Sequence, residues 1–236
     1  MKTHHQSPHV KMKIIIAFGL LIHFAASGNQ VYVKSESYNF LIYVPSGASP
    51  EGGFPLLMFL HGSGERGDDP ELVKKWGPPS FLDNTTDFPF LVVSPQCPAE
   101  ELWDPKRLGA VLDEVEANNN VDINRIYITG LSIGGHASWD LAMDDPKRFA
   151  AVVPVCGMGD VSSACLLKEL PAWVFHGALD QVIPHKHADQ MVEALNKCGG
   201  NVRYTLYQGV DHFAWIPAYR DPELYEWLLQ QKRTDD

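Results

Sequence analysis

Apolar and β-branched residues gather along this chain in short blocks, separated by polar stretches rich in Gly and Pro. The blocks at 40–44, 55–60, 90–94, 126–129, 150–155, 172–175 and 202–207 have the length of strands. Several are continuous rather than alternating, the pattern of strands covered on both faces of a parallel sheet. Between the later blocks the period becomes helical. Residues 106–118 bring Leu108, Val111, Leu112 and Val115 onto one face, 133–145 and 185–197 are similar, and 222–231 aligns Leu224, Trp227 and Leu228. Pro146 and the pair Gly199-Gly200 stop two of these helices. The alternation predicts an α/β protein with a central, mostly parallel sheet, right-handed crossovers and helices on both faces. Residues 62–70, 77–79 and 95–105 read as loops within one domain, because no shift in composition marks a linker.

The first residues follow a different pattern. Lys2, Lys11 and Lys13 occur without any acid, an apolar run extends from Ile14 to Ile22 and, past His23, to Ala26, and Ser27 and Gly28 follow. A positive start, a short apolar centre and small exit residues are the parts of a secretory signal peptide. The run is short of the roughly 20 apolar residues needed to span a bilayer. The expectation is a cleaved signal at 1–28, a single domain at 29–236, a secreted or extracytoplasmic product and no stable membrane anchor. An uncleaved anchor or a buried helix is the alternative.

The chain has 236 residues, 45% of them hydrophobic, which supports one sizeable core. Its net charge is −10, and without the first 28 residues 16 basic side chains face 29 acidic ones. A nucleic-acid backbone binder needs a basic face, so that class is excluded. None of the four cysteines, Cys97, Cys156, Cys165 and Cys198, forms a CxxC pair, which leaves zinc and thioredoxin-type chemistry without support. In an exported chain they suggest disulfides, with three possible connectivities. Cys156 and Cys165, nine apart across a Gly-containing loop, are the expected pair, and free thiols are the alternative. Asn84-Thr85-Thr86 is a glycosylation sequon.

The chemistry centres on Gly130-Leu131-Ser132-Ile133-Gly134, preceded by an apolar strand and followed by a helical pattern. A serine in a tight strand-to-helix turn projects its hydroxyl beyond the sheet, and flanking glycines remove β-carbons that would collide there. The next amide, that of Ile133, points outward at the helix start. A lone serine is a poor nucleophile and needs a base, usually histidine, oriented by a carboxylate. In this setting the acid and then the histidine follow the serine along the chain. Asp180 lies in a loop just past the strand at 172–175, and His212 in a loop just past the strand at 202–207. Both loops leave the same carboxyl edge of the sheet as Ser132. His136 is expected to pack, His176 precedes every suitable acid, and His185 and His187 are expected at the surface. A second oxyanion donor is expected from His61-Gly62-Ser63-Gly64-Glu65-Arg66-Gly67, with Ser63 first and Gly64 second. Trp103 and Trp215 could equally wall a substrate pocket or pack in the core. No metal or organic cofactor is required.

These residues resemble the α/β-hydrolase superfamily, and within it the compact phospholipase/carboxylesterase-like esterases and prolyl-oligopeptidase-type catalytic domains. The likeness rests on 60–67, 130–135, Val174-Phe175-His176-Gly177 with Asp180, and Asp211-His212, and extends over about 38–232. It implies a mostly parallel sheet and a Ser132–Asp180–His212 triad. The short spacing between serine and acid leaves no room for a large lid, and a propeller domain is not expected. The expected activity is that of a serine carboxylesterase acting on a small-molecule ester. A small peptidase or amidase with the same triad, or a non-catalytic binding module on a hydrolase scaffold, is the alternative.

Overall fold

The computed structural model describes residues 29–85 and 87–233; the expected signal at 1–28 lies outside them. The strands are β1 (Gln30–Val33), β2 (Phe40–Tyr43), β3 (Phe54–Leu60), β4 (Leu91–Pro95), β5 (Val121–Leu131), β6 (Ala151–Val155), β7 (Ala172–Gly177) and β8 (Val202–Tyr207). The helices are α1 (Pro79–Leu82), α2 (Pro105–Asn118), α3 (Ile133–Asp144), α4 (Lys186–Lys197), α5 (Trp215–Arg220) and α6 (Pro222–Gln230).

One eight-stranded sheet runs in the order β1-β2-β4-β3-β5-β6-β7-β8. The pairs from β4 to β8 are parallel, while β1–β2 and β2–β4 are antiparallel. The fold is therefore that of a single α/β-hydrolase domain. Every residue of β2, β3 and β4 is buried, as their uninterrupted apolar character predicts. Along β3, Leu56, Met58 and Leu60 enter one core with side chains of α2, α3 and α4, while Leu57 and Phe59 enter the other with those of α5 and α6. The period-two geometry of a strand thus divides one apolar run between two layers.

Local sequence sets the helix ends. Asp104 caps α2 by accepting from the Lys106 and Arg107 amides, with Pro105 in the first turn, and Asp221 with Pro222 repeats the device at α6. Four features depart from the sequence expectations. The edge strand β1 and the short helices α1 and α5 were not expected, and β5 begins five residues before the expected block, at Val121.

The expected Cys156–Cys165 disulfide is overturned. Cys165 pairs with Cys198, 33 residues further along, across a Cα–Cα distance of 5.5 Å, and Cys97 and Cys156 are buried free thiols. Cys156 directly follows β6 inside the core, and its Sγ donates to the His212 carbonyl at 3.1 Å. Cys165 lies in a 3-10 turn at Val161–Leu167, and Cys198 caps the C-terminus of α4. Proximity along the chain did not decide the pairing; the packing of that turn beside α4 did. Among the described residues no helix is long and apolar enough to cross a membrane.

Candidate active site

β5 hands the chain to α3 through Ser132, whose φ of 55° lies in the left-handed region. Such a conformation is strained for a residue with a side chain and persists only where its surroundings enforce it. The Ser132 amide is tied to the Val155 carbonyl at 2.9 Å, and the turn packs tightly on β3: a β-carbon at Gly134 would fall 2.1 Å from the Leu60 carbonyl oxygen. Ser132 occupies the N-cap position of α3 without making a cap bond, so its hydroxyl remains available.

The chain brings the three predicted side chains together. His212 Nε2 lies 3.0 Å from Ser132 Oγ, and His212 Nδ1 lies 2.7 Å from Asp180 Oδ2. The other carboxylate oxygen, Oδ1, accepts from the Val182 and Ile183 amides, each at 2.9 Å. Asp180 is 5% exposed and Ser132 8%, and the part-buried His212 lies between them, so this line of hydrogen bonds is largely shielded from solvent. The loop carrying His212 seats on the end of β7, where a β-carbon at Gly177 would fall 2.0 Å from the Asp211 carbonyl oxygen. Only glycine permits that approach.

The loop after β3 lies beside the nucleophile turn. A β-carbon on Gly62 would meet the Leu131 side chain at 2.7 Å. Ser63 opens a 3-10 turn and Ile133 opens α3, so both amides belong to the set that a helix start leaves without an internal acceptor. Below the loop, the buried His61 ring places Nδ1 2.7 Å from the Gly62 carbonyl, and its Nε2 accepts from the Cys97 amide at 3.0 Å. Burial lowers its pKa to about 4 and keeps it neutral. Burial also raises the Glu65 carboxyl above its usual range, against the attraction of Lys75.

The two tryptophans part company. Trp103 is half-buried and donates its indole N–H to the His61 carbonyl at 3.3 Å, with its ring against Tyr38 and His61. It braces the loop from beneath, and the pocket reading for it gives way to packing. Trp215 meets the His212 ring edge-on at 5.2 Å and lines a cleft of about 420 Å³ with Lys75, Trp76, Ser80, Phe81 and Tyr219. Trp76 and Phe213 extend this aromatic wall. A depression of about 520 Å³ between α4 and Tyr204 is lined by none of these residues.

His136 is half-buried, with Nδ1 2.6 Å from the Ser132 carbonyl. Sequence reasoning passed over His176, which is fully buried with Nε2 3.2 Å from Asp180 Oδ2. The signal available was a parallel: His61-Gly62 and His176-Gly177 both stand at the carboxyl end of an apolar strand. Among the described residues, Cys156, His176 and Asp180 are the one group of three or more such side chains whose potential metal-ligand atoms lie within 4.8 Å of one another. Burial pushes the Cys156 thiol up to about 12, and both Asp180 oxygens already accept hydrogen bonds. A cation there would need a thiolate that this environment opposes.

Comparison with known proteins agrees with this architecture. The family model "Dienelactone hydrolase family" matches residues 99–221, more than half of the chain. A bifunctional acetylxylan esterase/xylanase of Neocallimastix patriciarum is 23% identical over 63% of this chain and 22% of its own length. A poly(3-hydroxyoctanoate) depolymerase of Pseudomonas fluorescens is 25% identical over 72% and 69%. The crystal structure of a thermostable esterase superimposes with a TM-score of 0.74 at 35% identity, covering 86% of this chain and 63% of that one. The chain thus spans less than two thirds of the first of these relatives and of the solved esterase. With an eight-stranded α/β-hydrolase sheet and this family match, the chain belongs to the dienelactone hydrolase family of α/β hydrolases.

Proposed function

We infer that this protein is a serine carboxylesterase whose nucleophile is Ser132. The observation that carries the reading is the unbroken line from Ser132 Oγ through His212 to Asp180, at 3.0 and 2.7 Å. His212 Nε2 takes the hydroxyl proton as Oγ attacks the ester carbonyl, and Asp180 holds the ring and stabilises its charged form. The Ile133 and Ser63 amides receive the developing oxyanion, each worth roughly 3 kcal/mol in a site of this kind. His212 then protonates the departing alcohol, and water releases the acid from the acyl-enzyme by the reverse sequence of proton transfers.

The aromatic cleft beside His212 is the proposed seat for part of the ester, with Trp215 as its wall. Export is part of the same reading, supported by the lysine-flanked apolar run within 1–28 and by the Cys165–Cys198 bond, which suits an oxidising compartment. N-terminal sequencing of the exported protein should begin near residue 29; retention of Met1 would refute cleavage.

The test of the activity is Ser132→Ala. The variant should fold, lose nearly all hydrolysis of p-nitrophenyl acetate and fail to label with a fluorophosphonate. Hydrolysis at the native rate would remove Ser132 from the mechanism.

A further inference from the structure

Behind the proposed catalytic acid stands a second histidine. The penultimate residue of β7 is His176, whose ring is fully buried. Its Nε2 lies 2.8 Å from the Ile183 carbonyl oxygen. A carbonyl can only accept, so this nitrogen carries the ring proton. The same nitrogen is 3.2 Å from Asp180 Oδ2, the oxygen that faces His212. The other ring nitrogen, Nδ1, is buried with no hydrogen-bond partner among the described residues.

That arrangement would be poor design for a packing residue. A buried, unpaired ring nitrogen costs about 1–3 kcal/mol, which an apolar side chain of the same bulk would avoid. The polar ring is therefore retained for what its N–H does. It holds the carbonyl of Ile183, while the amide of Ile183 holds Asp180 Oδ1 at 2.9 Å. The imidazole and the carboxylate grip the same peptide turn from opposite sides.

We propose that His176 is a positioning residue for the esterase reaction: it fixes the turn that carries Asp180 and so holds the carboxylate that orients His212. The inference rests on the triad reading above. Burial keeps the ring uncharged, because desolvation lowers its pKa. The ionisable groups around it are Asp180 on its own turn, His212 on the loop after β8, and the Cys156 thiol just past β6. Of these, Asp180 is the group His176 touches.

The experiment compares His176→Leu, which removes the N–H, with His176→Gln, whose side-chain amide can restore it. kcat and KM on p-nitrophenyl acetate are measured near neutral pH and referred to active sites counted by fluorophosphonate labelling. Leu should lower kcat about 10–100-fold with little change in KM, the size expected when a catalytic group is misoriented. Gln should recover most of the rate. Native kinetics in Leu, or a Gln variant as impaired as Leu, would overturn the proposal. Nitrogen NMR of isotope-labelled histidines in the wild-type protein gives a test free of any folding defect: His176 should be the neutral Nε2–H tautomer, and an Nδ1–H tautomer would refute it. Ser132→Ala run in parallel separates the two claims. If that variant is silent while Leu is unchanged, only the role of His176 fails; if it stays active, the triad reading fails.

Discussion

Replacing Asp180 by Asn tests how the proposed site is held, because the surrounding bonds dictate how the carboxamide must sit. Asp180 Oδ1 accepts two backbone amides, those of Val182 and Ile183. The Asn oxygen takes that place, since turning the NH2 toward two N–H groups would leave buried donors unpaired at about 1–3 kcal/mol each. The His176 N–H, 3.2 Å from the other oxygen, by contrast keeps the Ile183 carbonyl as its acceptor. The NH2 is then forced toward His212 Nδ1, 2.7 Å from Oδ2 in the native site. A donor facing Nδ1 requires a lone pair there, so the ring proton moves to Nε2, and Nε2 can no longer accept the proton of Ser132. The substitution changes one atom yet selects the wrong tautomer. A loss of about 10⁴ in kcat is expected, as when the acid of a serine triad is replaced in this way. That is about 5 kcal/mol of transition-state stabilisation, with KM little affected because the defect is expressed only when the proton moves. The assay is p-nitrophenyl acetate hydrolysis near neutral pH, with fluorophosphonate labelling as an independent measure of nucleophilicity. Thermal unfolding provides the control: both amide bonds to the turn survive, so Tm should move by only a few degrees, corresponding to about 1 kcal/mol. A folded Asn variant losing less than about tenfold would refute the tautomer argument.

Two further outcomes concern stability. His61 has a folded-state pKa lowered to about 4 from 6.5, so the unfolded chain binds the proton first as pH falls. Its contribution is fully present above pH 6.5, declines from there toward pH 4, and amounts at most to about 3 kcal/mol. Urea unfolding at several pH values should show this loss, and His61→Gln, able to accept from the Cys97 amide, should show a shallower one; equal slopes would refute it. The Cys165–Cys198 bond closes a loop with a sequence separation of 33. Chain entropy assigns such a loop about 4 kcal/mol, so Cys198→Ser should lower Tm by roughly 10 °C, and an unchanged Tm in an oxidised wild-type control would refute the pairing.

The sheet class was legible because local patterning carries it. Runs such as Phe54–Leu60 are too apolar for anything but a strand buried on both faces, and the 106–118 period is that of a one-sided helix. β1 escaped notice because its middle residues, Val31 and Tyr32, are exposed at the sheet edge and no core imposes a pattern on them. Helix α5 was hidden because Pro217 interrupts an already short segment.

The chain by itself determined which side chains meet in the site. A left-handed serine between β5 and α3, and an acid and a histidine one step past β7 and β8, follow from turn stereochemistry and from the rule that loops at one end of a parallel sheet share an edge. Tertiary packing alone decided what stands behind them. Whether Cys165 finds Cys156 or Cys198, whether Trp103 faces a cleft or braces a loop, and whether His176 touches Asp180 all depend on contacts between elements. Short-range sterics write the first set of features into neighbouring residues. The second set arises when separate surfaces are pressed together, and only the assembled sheet and helices fix how those surfaces meet.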